Sequence, residues 1–190
     1  MATRTRPARG RWRIACGVVG VAAATVTASP SVASAGELQI SQEVQQQNQW
    51  CWAASGLTIA KFHGKGTTQN EFCNMARNRS GGQCPNQAGY LEWAQTAFQK
   101  LGISRGTVSG PLGFSAIKTE IDGRRPIETG IYWTAGGGHA QVIYGYTDGS
   151  QVIAYGDPWP SSPRYSEMTV GQYTNNGQFR WGQALYRVGA

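Results

Sequence analysis

The chain has 190 residues, of which 40% are hydrophobic and 14% charged, and its formal net charge is +7. Many Trp, Tyr and Gly residues with few charges are typical of a compact folded protein and argue against a disordered one. Five of the 17 basic residues fall within the first 13 positions, so the remainder has no Lys/Arg stripe and we expect no nucleic-acid partner.

The first 35 residues have the pattern of a targeting segment. A basic start leads into an apolar run over about 14–28, and the small-residue motif Ala33-Ser34-Ala35 follows. This order predicts a secretory signal peptide over 1–35 that is cleaved after Ala35. The run is too short and too rich in Ala, Gly and Thr for a membrane span. We therefore expect a secreted, extracellular domain over 36–190, not attached to a membrane, with 12 basic and 10 acidic residues.

Helical patterns occupy the first half of this domain. The string over 51–62 is apolar around most of its circumference, which predicts a buried helix that ends near Gly64. Thr68 and Glu71 have the spacing of a capping box and predict a second helix through about Arg77. Two further helices are predicted over 86–101 and 115–122.

The second half is rich in Val, Ile and Tyr and predicts strands. The predicted strands cover 126–133, 139–147, 151–154 and 184–188. Asp148-Gly149 between two of them is a hairpin signal. Helices followed by strands predict an α+β fold with a largely antiparallel sheet, and 155 residues suit one domain rather than two.

Three cysteines lie beyond residue 35. Cys73 and Cys84 are 11 residues apart across Gly81-Gly82, and paired cysteines outside the cell usually oxidise, so we predict a disulfide. A metal site there would need a third and a fourth ligand, and no histidine lies between or beside them, so we expect no metal. Cys51 is then the unpaired thiol.

Cys51 is a candidate nucleophile. A thiolate attacks a carbonyl, and the unpaired N–H groups at the start of a helix favour that anion. His139, which follows Gly137 and Gly138 and begins a predicted strand, is the candidate for moving the proton. Asp157, 18 residues further on at the end of the next strand, would orient the imidazole.

The oxyanion of such a reaction needs preorganised donors. The Cys51 N–H is one candidate, and the amide of Gln45 is another, although neighbouring glutamines such as Gln49 offer the same group. Trp133 lies on the approach to His139 and is a candidate for lining a substrate cleft, together with Gly137, Gly138 and Trp159.

In their chain order, these motifs resemble those of the papain-like cysteine proteases. They are most similar to the compact bacterial branch, which includes secreted effector proteases of plant pathogens. The matching pattern is Gln45, then Cys-Trp-Ala at 51–53 beginning six positions later, a distant Gly-His-Ala at 138–140, and Asp157 with a tryptophan two residues later. The resemblance implies a papain-like fold, with the nucleophile on a buried helix in an N-terminal helical half and a mostly antiparallel C-terminal half.

The resemblance also implies roles for individual residues. Gln45 would form the oxyanion hole, Cys51 and His139 the ion pair, and Asp157 would orient the histidine, while Trp159 would shield that hydrogen bond from water. The implied activity is that of a thiol endopeptidase acting on protein or peptide substrates without a metal or organic cofactor. We expect a monomer.

Some features depart from the better-known papain and cathepsin pattern. Asn48-Gln49-Trp50 precedes the nucleophile where those enzymes have Cys-Gly-Ser/Ala, and the third position is Asp rather than Asn. About 15 residues separate the predicted cleavage site from Cys51, which leaves no room for an N-terminal inhibitory prodomain. The enzyme would therefore be exported active or restrained by a separate inhibitor protein.

The same residues allow other functions. An amidase, deamidase or transpeptidase would use the same triad, because the choice of acceptor depends on cleft loops. A catalytically silent binding module on this scaffold, and a purely structural secreted protein with an unreactive Cys51, are the remaining alternatives.

Overall fold

The structure is a computed structural model that describes residues 35–190, so the predicted signal segment before Ala35 lies outside the described residues. The elements in chain order are β1 (Ala35–Glu37), α1 (Cys51–Phe62), α2 (Gln69–Ala76), α3 (Leu91–Lys100), β2 (Arg105–Ser109), α4 (Phe114–Asp122), β3 (Ile127–Trp133), β4 (Gly138–Thr147), β5 (Val152–Gly156), β6 (Tyr165–Thr169), α5 (Val170–Thr174) and β7 (Phe179–Val188). None of the helices in this part of the chain is long and apolar enough to cross a membrane.

The strands form one seven-stranded sheet in the order β2-β7-β3-β4-β5-β6, and β1 adds to it through β4. Every pairing between these strands is antiparallel. The N-terminal helices and the C-terminal antiparallel sheet confirm the predicted α+β fold class.

Two hydrophobic cores lie on opposite faces of the sheet. Val142 belongs to the core that contains α1, α2 and α3, and the next residue, Ile143, belongs to the core that contains α4 and α5. Consecutive residues of a strand point to opposite faces, so the sheet is buried on both sides. Helix α1 lies against the first face, and every residue from Trp52 to Ala60 is buried.

Two tryptophans anchor the N-terminus of α1. Trp50 and Trp52 are both buried, and their indole N–H groups donate to the carbonyl oxygens of Pro85 and Gln87, each at 3.1 Å. The chain passes so close to Trp52 that a Cβ at Gly89 would lie 2.4 Å from the indole ring. These contacts hold the first residue of the helix in place while leaving it partly exposed.

The predicted disulfide is present. Cys73 of α2 is bonded to Cys84, and both residues are buried. Because Cys84 precedes the segment that holds the two tryptophans, the bond ties that segment to the helical core. Cys51 is the free cysteine of the described chain.

The predicted elements differ from the structure in several places. Helix α1 has the predicted bounds, and α2 begins directly after its N-cap Thr68, which forms the predicted capping box with Glu71. Helix α3 begins at Leu91 and not at Asn86, because the Asn86 side chain accepts the Gln49 N–H and the following residues run past α1. The sequence prediction missed β1, β2, β6 and α5, and β7 is longer than predicted.

Candidate active site

The structure brings Cys51, His139 and Asp157 together. His139 Nε2 lies 2.8 Å from Asp157 Oδ1. The His139 ring also hydrogen-bonds the Cys51 sulfur, which leaves Nδ1 as the ring nitrogen for that contact. The three side chains therefore form one hydrogen-bonded chain from sulfur to carboxylate.

Strand pairing explains why His139 and Asp157 meet. His139 is the second residue of β4, and Asp157 directly follows the last residue of β5. The two strands are antiparallel with Val142 opposite Gly156, so the start of β4 lies beside the end of β5. A tight turn at residues 148–151 joins them, as the Asp-Gly signal predicted.

The electrostatics favour a charged histidine. Burial alone would lower the pKa of His139, but the hydrogen bonds and charges of Asp157 and Cys51 outweigh burial and raise it to about 9. Burial would raise the pKa of Asp157, yet His139, the Trp159 N–H and Gln141 together hold it below its ordinary value. At neutral pH the pair is thus an imidazolium and a carboxylate.

Two tryptophans enclose the imidazole. The Trp133 ring stacks on His139 with centroids 5.9 Å apart and planes at 24°, and Trp159 meets it edge-on at 6.4 Å. The backbone N–H of Trp159 donates to Asp157 Oδ1 at 2.8 Å. The face of an indole attracts a cation, so the stacked Trp133 favours the imidazolium and also covers it from water.

A cleft of about 690 Å³ opens over these residues. Its lining includes the predicted cleft residues Trp133, Gly137, Gly138 and Trp159 together with Cys51, His139 and Asp157. No Lys, Arg or Glu is among the lining residues, whereas several large exposed aromatic side chains are. These exposed aromatics are Tyr90, Tyr132, Trp133 and Trp159. Apart from Cys51, His139 and Asp157, the residues that line the cleft are therefore uncharged.

Gln45 lies near the site but is not among the residues that line the cleft. It is buried, its Nε2 donates to the Gln47 carbonyl at 2.9 Å, and its Oε1 has no hydrogen-bond partner within residues 35–190. Its backbone N–H donates to the carbonyl of Pro158, directly after Asp157. Gln49, by contrast, does line the cleft beside Cys51.

Gln141 is a site residue that the sequence prediction missed. It lies two positions after His139 on β4, and its Nε2 donates to Asp157 Oδ2 at 2.8 Å. Two residues of one strand that are two positions apart share a face. A polar residue at that position in an otherwise apolar run was the signal that could have identified it.

Glu128 is a second missed residue. It lies on β3 opposite Val142 and Leu185, is fully buried, and neither carboxyl oxygen has a hydrogen-bond partner in the described part of the chain. Burial, with the nearby charge of Cys51, raises the pKa of Glu128 well above its ordinary value. Burial therefore favours the protonated, neutral form of Glu128 close to Cys51.

No cluster of three or more His, Cys, Asp or Glu side chains within residues 35–190 could hold a metal ion.

A cysteine at the start of a buried helix that faces a histidine and an aspartate from an antiparallel sheet defines the papain-like class of cysteine peptidases. The family described as "Papain-like cysteine protease AvrRpt2" matches residues 33–178, and the chain belongs to it. The protein is a cysteine-type peptidase. No curated protein sequence matches the chain.

Solved structures share the fold. The peptidase domain of Streptococcus ComA, a bifunctional ABC transporter, is 16% identical with a TM-score of 0.58, over 80% of this chain and 98% of that one. Xylellain, a cysteine protease from Xylella fastidiosa, is 11% identical with a TM-score of 0.57, over 82% and 86%. A double-glycine motif protease from an AMS/PCAT transporter, solved with its leader peptide, is 15% identical with a TM-score of 0.51, over 80% and 93%.

The two histidines of the chain should titrate on opposite sides of pH 6.5. The pKa of His139 is raised to about 9, whereas burial lowers the pKa of His63. Because the folded pKa of His139 is raised, its stabilising charge is fully present below pH 6.5 and is lost as the pH rises through 9. NMR titration of the ring signals measures both values.

Asp157→Asn is the matched variant for this titration. Removing the carboxylate charge should lower the midpoint of His139 and leave that of His63 unchanged. Two midpoints below pH 7 in the wild-type protein would contradict the ion pair.

Glu128→Gln should stabilise the protein increasingly as the pH rises. The folded pKa of Glu128 is raised, so wild-type stability is lost from the unfolded pKa upward, by about 1.4 kcal/mol per pH unit, until the folded group ionises. The amide has the same shape and does not ionise. Urea unfolding between pH 4.5 and 8 measures the difference.

Glu120→Gln is the control, because Glu120 is also buried but pairs with Arg125 at 2.8 Å. That variant loses an ion pair and should be less stable than wild type at neutral pH. A difference between wild type and Glu128→Gln that stays constant with pH would show that Glu128 titrates normally.

Proposed function

We propose that this protein is an exported endopeptidase that hydrolyses peptide bonds of protein or peptide substrates through Cys51, His139 and Asp157. The observation that carries the proposal is the hydrogen-bonded chain from the Cys51 sulfur through His139 to Asp157 at the floor of an open cleft. A purely structural thiol would need neither the charged partner nor the access.

In the acylation step, the Cys51 thiolate attacks the carbonyl carbon of the scissile bond. The His139 imidazolium then gives its proton to the leaving amine as the C–N bond breaks. A pKa of about 9 suits this role, because the ring is protonated at neutral pH before substrate binds. Asp157 holds Nε2 and so aims Nδ1 at the sulfur and the leaving group.

In the deacylation step, His139 is neutral and takes a proton from a water molecule that attacks the thioester. The C–S bond breaks, Cys51 leaves as the thiolate, and the restored imidazolium pairs with it. Asp157 stabilises the positive charge that forms again on the His139 ring. No metal or organic cofactor enters either step.

The oxyanion that forms in both steps needs two donors. Cys51 is the first residue of α1, so its N–H has no acceptor within the helix and is available as one donor. For the second we propose the Gln45 amide, which carries two N–H groups and uses one of them on Gln47.

Export is part of the proposal. The pattern of residues 1–35 supports a cleaved signal peptide, and a buried Cys73–Cys84 disulfide fits an oxidising compartment. We further propose that the protein acts as a monomer, either active on export or held in check by a separate inhibitor protein.

Wild-type protein should cut an unmodified, unfolded protein substrate, and Cys51→Ala should abolish cutting. Mass spectrometry of the products identifies the cleaved bonds, and a thiol-directed epoxide should label Cys51 of the wild type. Asp157→Asn should retain labelling but lose about 100-fold or more in kcat, because the imidazole is no longer held. Labelling of Cys51 without any cleavage of protein would instead favour an amidase, deamidase or transpeptidase. The absence of both labelling and cleavage would indicate a catalytically silent binding module.

Gln45→Ala should lower kcat by about 100-fold or more with little change in KM, because an oxyanion donor acts mainly in the transition state. Gln49→Ala is the matched variant at the cleft wall, and we expect its kcat to stay close to wild type. The reverse pattern would move the oxyanion role to Gln49.

A further inference from the structure

A chain of buried polar groups leads away from the carboxylate of Asp157. Gln141 Nε2 donates to Asp157 Oδ2 at 2.8 Å, Gln141 Oε1 accepts from the Tyr173 hydroxyl at 2.8 Å, and that hydroxyl lies 2.7 Å from Thr129 Oγ1. All four residues are buried. We propose that Gln141, supported by Tyr173, is a positioning residue that fixes the plane of the Asp157 carboxylate. This role rests on the proposed function of Asp157.

The protons of this chain have one consistent direction. The Tyr173 hydroxyl has a single hydrogen, which it gives to Gln141, so it accepts from Thr129 at the short contact. Gln141 in turn must present its NH₂ group to the carboxylate, because its oxygen is already occupied by a donor. Burial raises the pKa of Tyr173, which keeps that donor protonated throughout the working range. The amide of Gln141 is therefore held in one orientation.

The two oxygens of Asp157 have different partners. Oδ1 accepts from His139 and from the Trp159 N–H, whereas Gln141 supplies the hydrogen bond to Oδ2. Without Gln141, a buried carboxylate oxygen would lose a charge-assisted hydrogen bond, and the group could rotate away from the imidazole. Since the His139 ring is aimed by Asp157, that rotation would misalign the proton donor.

Gln141 acts on the reaction only through Asp157. It is absent from the residues that line the cleft, and its side-chain hydrogen bonds go to Asp157 and Tyr173. A residue that does not touch substrate should change kcat and leave KM almost unaltered. That split separates positioning from substrate binding.

Gln141→Leu removes the amide and leaves an apolar side chain that is one bond shorter. We expect kcat to fall about tenfold or more, the value of one hydrogen bond to a charged group, with KM within about twofold. The acid limb of the pH profile should move to higher pH, because an ionised Asp157 loses a donor. Tyr173→Phe should lower kcat about threefold, and the double variant should match Gln141→Leu alone because both act through one hydrogen-bonded chain.

Tyr146→Phe is the matched control. Tyr146 is a buried tyrosine on the same strand, and its hydroxyl donates to Asp122 at 2.7 Å, away from Asp157. The Tyr146→Phe variant loses a phenol hydroxyl, as Tyr173→Phe does. Its kcat and its pH profile should nevertheless stay at wild-type values, even if its unfolding temperature falls. Thermal unfolding of every variant shows that each is folded at the assay temperature.

Gln141→Glu tests the hydrogen bond itself. While protonated, the introduced carboxylic acid can donate to Asp157 and accept from Tyr173, as the amide does. When it ionises, it loses that donor and places a like charge beside Asp157. We therefore expect activity near wild type at the acid end and a new descending limb as the pH rises, which Gln141→Leu should not show.

Alkylation of Cys51 by iodoacetamide supplies a readout that does not need a peptide substrate. We expect Gln141→Leu to slow this reaction near neutral pH relative to wild type and Tyr146→Phe. If Gln141→Leu has the alkylation rate and the kcat of the wild type, the proposed role of Gln141 is wrong. Strictly additive effects of Gln141→Leu and Tyr173→Phe on kcat would also overturn it. If the wild-type protein is alkylated in a pH-dependent way yet cuts no peptide, the proposed function fails while this role is still decided by the alkylation rates.

Discussion

The antiparallel pairing of β4 with β5 is the constraint on which the site depends. His139 begins one strand, Asp157 follows the end of the other, and only this register places Nε2 within 2.8 Å of Oδ1. A slip of one residue would turn His139 to the opposite face of the sheet. On the edge opposite β5, strand β4 pairs with β3 and β1. A slip of β4 would therefore change the register of these pairings as well, which makes it unfavourable.

The second constraint is the charge that this register brings together. A buried imidazolium is unfavourable unless anions stand beside it, and Cys51 and Asp157 supply them from two sides. In the proposed ion pair, a thiolate, an imidazolium and a carboxylate would leave one net negative charge in the site. An ionised Glu128 would add a second negative charge. The negative charge of Cys51 therefore favours the neutral form of Glu128.

The sequence predicted most of what local physics determines. Helix α1 has its predicted bounds because its apolar residues leave no ambiguity, and the capping box and the Asp-Gly turn have local chemistry of their own. The prediction of α3 began five residues early because Asn86 makes a tertiary hydrogen bond that no local pattern reveals. Strands β2 and β6 lie at the two edges of the sheet, and their exposed residues lack the apolar alternation that identifies a strand.

The sequence prediction also missed Glu128 and Gln141. Each is a polar residue within a largely apolar strand, and a single exception does not form a recognisable pattern. They lie on opposite faces of the sheet, because Thr129, which follows Glu128, shares the face of Gln141. One face thus presents a hydrogen-bonded amide to Asp157, and the other presents near Cys51 an acid with no hydrogen-bond partner within residues 35–190. Buried polar groups cost stability unless they are paired, so the hydrogen bonds of Gln141 offset the cost of its burial, whereas the burial of Glu128 is unfavourable for folding.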